Sequence, residues 1–284
     1  MAAQSRTRLL LILALPPMAI GYGIHKGLSA LEAQYPALPP ETITSIALRT
    51  PQNSSNQYCA YVDVYAARVP VKALLPRAQR TDVPDKSKST NLEITNAWAR
   101  AFIGTKVLRA EGSLIGLLAK GKLSPGDTGD TSAGFASPTA SGEPRRLLNG
   151  ALVVERPPSE DNRNGLLISW RIPDEPRRFF EKIARWGYPW RLMSGGRHEL
   201  SVSEPFDGAG DGESQAPFVE VRFASAHDYE IVPEEGDLQH QKTIPGWTGR
   251  LHRGYARLLL DCSVRELKRE YKKTEADCEH DEMS

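Results

Sequence analysis

The spacing of strand-like segments is the feature that most constrains the fold of this chain. Segments rich in valine, isoleucine and aromatic residues recur at short intervals, and turns or polar loops separate them. These segments are not joined by a regular series of helices, as the strands of a parallel sheet would be. The pattern predicts an α+β fold in which an antiparallel sheet carries helices packed on one side.

The predicted strands alternate with only a few helices. The strands are Tyr58–Val69, Ala151–Glu155, Gly165–Arg171, Trp190–Met193, Arg197–Ser203 and Pro217–Ser225. One helix is predicted after the capping box Thr90–Glu93. A second runs from a cap at Asp174 to a stop at Gly187, and a third extends from Thr248 to Lys272. The stretch Val107–Leu118 is ambiguous between helix and strand. This order is compatible with a helix-grip sheet that encloses a cavity under a long C-terminal helix, and also with a hot-dog fold.

The helix after Asp174 has a pronounced apolar side. Phe179, Phe180, Ile183 and Ala184 follow helical spacing and form its predicted buried stripe. The sequence Ser194-Gly195-Gly196 after the next predicted strand is interpreted as a tight turn. A phosphate-binding loop is not favoured there, because no helix follows whose N-terminus could bind an anion.

An uncharged, mostly aliphatic segment from Leu9 to Ile24 follows Arg6 and Arg8. This arrangement is typical of a signal peptide or a membrane anchor. A helix of sixteen residues spans about 24 Å, which is short against a hydrocarbon core of ~30 Å. A cleaved signal peptide, a single-pass anchor and a mitochondrial inner-membrane anchor all stay open. The sequence favours a single-pass membrane protein of the secretory pathway over one of the mitochondrial inner membrane.

Composition divides the chain further. Residues 1–26 form the predicted signal anchor or signal peptide, and the Pro-rich segment 27–56 is interpreted as a stalk. A single α+β domain is expected over 57–272, with a flexible insertion at 121–146 that is rich in Gly, Ser, Thr and Pro. An acidic tail, 273–284, follows. The net charge of +1 gives no overall field that would recruit nucleic acid.

Two histidines in predicted strands are the candidate catalytic residues. His198 shares strand parity with Leu200, and His227 shares it with Val221, so both imidazoles are expected on the apolar side of the sheet. Pairing Val202 with Val219 would place His198 opposite Phe223. His227 would then lie about 13 Å further along its strand, too far for a shared metal ion.

Each histidine could act as a general base if it lies in an apolar cavity, because burial keeps the ring neutral. The acids that follow them, Glu199 and Asp228, point to the opposite side of the sheet. An orienting carboxylate must therefore come from elsewhere, and Asp63 and Glu111 are the candidates. A core role, with a ring nitrogen bonded to a backbone carbonyl, is the competing interpretation for both histidines.

Aromatic residues could line a site for a lipophilic molecule. The candidate ligand-binding residues are Trp98, Trp170, Trp190, Phe223 and Tyr255. Ordinary core packing is the competing interpretation. The chain has three cysteines without metal-ligand spacing, no phosphate loop and no dinucleotide fingerprint, so we expect neither a metal nor a cofactor.

Three hypotheses for function follow. The first is a membrane-tethered domain that binds a lipophilic small molecule or lipid between the sheet and the C-terminal helix. The second is an enzyme that uses His198 or His227 as a general base on a hydrophobic substrate. The third is a membrane assembly or scaffold factor that binds a protein partner, whose identity the sequence does not indicate, through basic residues of the last helix and an acidic loop at 204–216.

Overall fold

The protein is an α+β domain built on one antiparallel sheet. The computed structural model describes residues 19–41, 44–78, 91–131, 134–137, 143–159, 165–207 and 217–282. The six strands are β1 (Gln57–Pro70), β2 (Arg146–Leu147), β3 (Leu152–Arg156), β4 (Leu166–Arg171), β5 (Gly195–Val202) and β6 (Phe218–Glu230). They lie in the order β1-β6-β5-β4-β3-β2, and every neighbouring pair is antiparallel. The predicted fold class is confirmed at this level.

Seven helices within the described residues complete the domain. They are α1 (residues 19–34), α2 (Ile46–Arg49), α3 (Val71–Ala78), α4 (Asn91–Ile103), α5 (Lys106–Lys120), α6 (Asp174–Arg185) and α7 (Gly246–Glu282). The ambiguous stretch after Val107 is therefore helical. It begins with a cap in which the hydroxyl of Thr105 accepts from the N–H of Leu108, and Gly121 ends it in the left-handed region.

Helices α4 and α7 pack on one face of the sheet, which we call the inner face. Alternate residues of the strands point into this layer, among them Leu166, Leu200 and Val221, and each of these is buried. Leu260 of α7 and Ala97 of α4 meet them from the other side. Because strand side chains alternate, the residues between them point to the opposite, outer face.

The segment predicted as a stalk, 27–56, packs on the domain. Leu48 of α2 is fully buried on the outer face, where it joins Val64, Leu167 and Ala226 in a small apolar cluster. Helix α1 contacts α7, and the Arg250 guanidinium donates to Glu32 over 2.8 Å. Both ends of this segment are therefore tied to the folded body.

The predicted insertion, 121–146, contains neither a helix nor a strand over its described residues before Arg146. Its polar composition does not keep it away from the body. Phe135 is 1% exposed and belongs to the main apolar core. Arg145 is also buried and binds Asp127 through two nitrogens, at 2.7 and 2.9 Å.

Three local predictions were wrong. Residues 190–193 form no strand. The backbone N–H of Arg191 donates instead to the carbonyl of Thr243, outside the sheet. Gly195 and Gly196 lie inside β5 and form no turn. In α6 only Ala184 of the predicted stripe is buried, and Phe179 is 58% exposed.

The predicted membrane segment falls mostly outside the described residues, which begin at residue 19. Within the described part of the chain, no helix has the length and apolar character needed to span a bilayer. At the other end, α7 continues to Glu282 and so includes most of the predicted acidic tail.

Candidate functional site

The register between β5 and β6 brings the two candidate histidines together. His198 pairs with Ser225, and His227 pairs with Gly196, so the histidines lie diagonally on neighbouring strands. The predicted pairing of His198 with Phe223 was wrong by two residues. A register shift of two residues leaves every side chain on the same face of the sheet, so both histidines still point inward as predicted. Fifteen residues separate the two strands, so the length of the connection does not fix the register as a two-residue turn would.

Three histidines and two aromatic residues form the histidine cluster, which consists of His198, His227, His252, Trp170 and Tyr61. The ring of His227 stacks on Tyr61 with centroids 4.4 Å apart and meets the edge of His252 at 4.8 Å. Trp170 lies over His198 at 5.9 Å and is 6.3 Å from His252. Strands β1, β4, β5 and β6 and the start of α7 therefore converge on one site.

Gly196 makes room for the tryptophan of this cluster. Trp170 and Gly196 are direct partners on β4 and β5. A Cβ atom at residue 196 would lie 2.9 Å from Cζ2 of Trp170 and 2.1 Å from the carbonyl oxygen of Ala226. A larger residue would push the indole away from His198, so a bare backbone is needed here.

One nitrogen of His227 faces two polar partners. Nε2 lies 3.3 Å from the Ser225 hydroxyl and 3.6 Å from Oδ2 of Asp63. Because both contacts use the same nitrogen, the three residues do not form a nucleophile–base–acid triad, in which the acid orients the other nitrogen. A proton on Nε2 faces the carboxylate and leaves Nδ1 as an acceptor.

Several polar atoms of the site have no hydrogen-bond partner among the described residues, and for Oδ2 of Asp63 this holds although it lies 3.6 Å from Nε2 of His227. They are Nδ1 of His198, Nδ1 of His227, Nε1 of Trp170 and Oδ2 of Asp63, and each is buried. Leaving such a group unsatisfied costs about 1–3 kcal/mol, so native structures contain few of them. Here they gather at one place on the inner face.

Solvent reaches part of the site. His227 and Ser225 are buried, whereas Tyr61, Asp63, Trp170, His198 and His252 are all partly exposed although they lie between the sheet and α7. A tightly filled layer would have excluded solvent from them. The exposed parts of these side chains therefore lie at the side of the cluster that solvent reaches.

Burial keeps two of the imidazoles neutral. It lowers the pKa of His198 well below 6.5, and the neighbouring His227 adds to the effect. Burial, assisted by His227, lowers the pKa of His252 to about 4. At neutral pH both rings therefore carry one donor and one acceptor nitrogen and no charge.

Only some of the predicted ligand-binding residues lie at this site. Trp170 belongs to the cluster, and Phe223 packs 5.1 Å from His198. Trp98 is fully buried in α4, where its indole N–H donates to the carbonyl of Arg222 over 3.1 Å. Trp190 stacks on Phe180 beside α6, with ring centroids 4.9 Å apart.

Tyr255 points to a different partner. Its hydroxyl donates to the Glu111 carboxylate of α5 over 2.6 Å. Glu111, one of the two predicted orienting carboxylates, is thereby engaged away from both histidines. The other, Asp63, is the one that lies beside His227.

Two cavities among the described residues lie on the outer face. The larger, about 370 Å³, is bordered by Gln52, Glu155, Ser169 and Arg171. These groups already bond to one another: Arg171 and Ser169 each contact Gln52, at 2.7 and 3.0 Å, and Ser169 also binds Glu155. The smaller, about 190 Å³, includes Gln57, Ser194 and Asp228 in its border. Trp170 of the histidine cluster borders both cavities and Gly196 borders the smaller one, but no histidine of the cluster lines either.

Sequence reasoning missed two members of the cluster. His252 falls within the predicted helix Thr248–Lys272, four residues before Ala256 and seven before Leu259, both of which are buried on the inner side of that helix. That helical spacing is a signal that could have found it. Tyr61 is harder to place, because β1 has an irregularity between Cys59 and Tyr61 that changes which side chains point inward.

The described residues contain no group of three or more His, Cys, Asp and Glu side chains placed to hold a metal ion. Comparison of the chain with protein-family models, with curated proteins and with solved structures gives no match. Its function must therefore be argued from the site.

Proposed function

We propose that this protein binds a small lipophilic molecule carrying a few hydrogen-bonding groups, in the space between the sheet and α7. The observation that carries the proposal is the group of unpaired buried polar atoms in the histidine cluster. Aromatic rings with a small number of polar groups are the usual lining of a small-molecule site. Bound ligand would supply the missing partners of His198, His227 and Trp170.

The topology supports the same function. Strand β1 is followed by helices, then by the meander β2–β6, then by α7 across the inner face, and β1 closes the sheet beside β6. We interpret this as a helix-grip arrangement, one of the two architectures suggested by the sequence. In such a layout the C-terminal helix forms one wall of the site, and its start contributes His252.

The proposal includes a membrane tether at the N-terminus. Its support is the sequence alone, namely the uncharged segment from Leu9 to Ile24 behind two arginines. A tether would hold the site near the lipid phase, where lipophilic molecules concentrate. The binding site itself does not depend on the tether.

Binding can be tested with the full chain and the probe anilinonaphthalene sulfonate, whose fluorescence rises in apolar sites. We expect saturable binding that His227→Gln and Trp170→Leu weaken at least about tenfold, the loss of a well-made contact in a closed site. His240→Gln is the matched control, because His240 is exposed and contacts only Asp237. Equal affinity in all four proteins would overturn the proposed site. Native mass spectrometry then identifies any molecule that co-purifies.

A second candidate function is proton transfer, and the contact between Asp63 and His227 favours it. With the proton held on Nε2, the free Nδ1 of His227 can accept a proton from water or substrate. The neutral state of the surrounding imidazoles suits a base at neutral pH. Catalysis by this route needs a substrate seated against Nδ1, so it includes the binding function.

Hydrolysis of p-nitrophenyl butyrate by the full chain tests this second function. His227→Gln keeps a group near the position of Nε2 but removes Nδ1, whereas His227→Asn does the reverse. A base at Nδ1 predicts that the Gln variant is inactive and that Asp63→Asn lowers kcat with little change in KM. Turnover that survives in the Gln variant rejects this role for His227.

A further inference from the structure

Helix α6 presents aromatic side chains to solvent. Phe179 is 58% exposed, and Trp186, directly after the helix, is 74% exposed. They are seven residues apart and therefore lie on the same side of the helix. Ala184 lies on the opposite side and is the one residue of the helix that is buried.

Polar contacts link α6 to the body, among them one at 3.9 Å between Arg177 and Glu230 of β6. The Lys242 ammonium donates to the carbonyl of Ala184 over 2.8 Å at the end of the helix. Arg177 bridges Asp174 and Glu181 along the side of the helix, at 3.2 and 2.5 Å. With Ala184 turned toward the body, the aromatic side of α6 faces solvent.

The loop after α6 adds to the same surface. Gly187 turns the chain with a φ of 99°, and Tyr188 then packs on Trp190 with ring centroids 4.7 Å apart. Trp190 in turn stacks on Phe180. Tyr188 stays 37% exposed, so the turn presents a third partly exposed aromatic ring next to Trp186.

Basic side chains accompany these rings. Lys182 and Arg185 are exposed, and the ammonium of Lys182 lies 5.3 Å from the centre of the Trp186 ring. Of the acids of the helix, Asp174 and Glu181 bind Arg177, and the exposed Glu175 lies in the first turn, four residues before Phe179 and away from the end that carries Trp186. The end of α6 that carries Trp186 is thus positively charged.

We propose that Phe179, Lys182, Arg185, Trp186 and Tyr188, the α6 surface, bind an anionic phospholipid bilayer, with the rings in the headgroup region. Exposed aromatic rings beside lysine and arginine are the pattern of helices that lie in a membrane interface. The positive charge complements anionic headgroups. This inference stands independently of the proposed ligand site and of the N-terminal tether.

The α6 surface is close in the chain to Trp170 of the histidine cluster. The helix begins three residues after β4 ends, and Trp170 is the second-last residue of that strand. A bilayer on the α6 surface would therefore lie near the end of the sheet that carries the cluster.

The test measures Trp186 itself, because an N-terminal anchor could hold the whole chain on vesicles. Full-length protein is combined with brominated phosphatidylcholine vesicles, with or without phosphatidylserine. The emission lost in Trp186→Phe defines the Trp186 signal. We expect bromine to quench that signal in phosphatidylserine vesicles, and 1 M salt to relieve the quenching because it shortens the Debye length to about 3 Å. An unquenched signal, the outcome if the surface instead binds an acidic protein, overturns the proposal, and so does equal quenching without phosphatidylserine.

Charge variants sharpen the same measurement. Lys182→Glu and Arg185→Glu should each weaken the partitioning about fivefold or more, since one basic residue near an anionic surface contributes about that factor. Lys106→Glu and Arg109→Glu, exposed on α5, are matched controls and should leave the quenching unchanged. Far-ultraviolet circular dichroism confirms that each variant is folded. Equal effects of both pairs would overturn the assignment to α6.

Discussion

The inner and outer faces of β5 and β6 carry polar residues that are neighbours in sequence but differ in how they are satisfied. On the outer face, Arg197 binds Asp228 with two nitrogens and donates to the carbonyl of Leu48 over 2.7 Å. On the inner face, His198 and His227 each keep a buried nitrogen without a partner among the described residues. Each of these histidines adjoins one member of the outer pair.

Glu199 follows the outer pattern. Its carboxylate accepts from the backbone N–H and hydroxyl of Ser45 and from Arg156, the last over 3.2 Å. The outer polar groups thus attach the segment 27–56 to the sheet. The unpaired nitrogens of the inner face contribute no hydrogen bond to the stability of the fold, and buried groups of this kind are common at functional sites.

Breaking the outer ion pair should have the largest effect. Arg197→Met leaves the Asp228 carboxylate buried without its cation, and we expect a loss of about 3–5 kcal/mol in the free energy of unfolding. Denaturant unfolding measures this loss. The double variant with Asp228→Leu should recover much of it, because no buried charge stays unpaired. A loss under about 1 kcal/mol in Arg197→Met would show that the pair is not structural.

A smaller loss is expected at Glu199. Glu199→Gln keeps the size but weakens the bonds from Ser45 and Arg156, at a cost of about 1–3 kcal/mol. Binding of anilinonaphthalene sulfonate should be unchanged, because the side chain lies on the other face of the sheet. If this variant lost the probe without losing stability, the division between the two faces would be wrong.

Acid should destabilise the protein through the inner face. The folded pKa of His252 is about 4, below its ordinary value of 6.5, so the unfolded chain binds more protons between these values. This part of the stability is complete above about pH 6.5 and is lost as the pH falls toward 4. His198 acts in the same direction. Melting temperature against pH should fall less steeply in His252→Gln than in His240→Gln, whereas parallel curves would contradict the assignment.

The smallest effect on stability is expected at His227. His227→Gln can keep the contacts of Nε2 with Asp63 and Ser225 and loses the ring contacts with Tyr61 and His252, so the change should cost about 0.5–1.5 kcal/mol. Its effect on ligand binding should nevertheless exceed that of Glu199→Gln. A strongly destabilised variant would show that His227 is a core residue, as the competing interpretation holds.

The faces of the strands could be predicted because side chains alternate strictly along a strand. His198 and His227 pointed inward as expected, and Glu199 and Asp228 pointed outward. The register could not be predicted in the same way. Shifting the register of β5 and β6 by two residues leaves every side chain on the same face of the sheet, so the hydrophobic pattern is the same in both registers. Only the folded sheet therefore shows that the two histidines are neighbours.

For helix α6 the sequence predicted the element but not its burial. Its amphipathic pattern correctly predicted a helix, but only Ala184 of the predicted stripe is buried. Amphipathicity indicates that an apolar side exists and does not tell whether the core, a ligand or a membrane covers it. The exposed fraction of Phe179 could be learned only from the packing.

The sequence by itself determined the antiparallel α+β class, most of the strands and helices, and the inward orientation of the two histidines, because these follow from local periodicity and turn chemistry. The tertiary structure alone decided that His252, Trp170 and Tyr61 join the histidines, and that Asp63 rather than Glu111 lies beside His227. These contacts link residues far apart in the chain. Strand register and the packing of α7 set them, and no local pattern encodes either one.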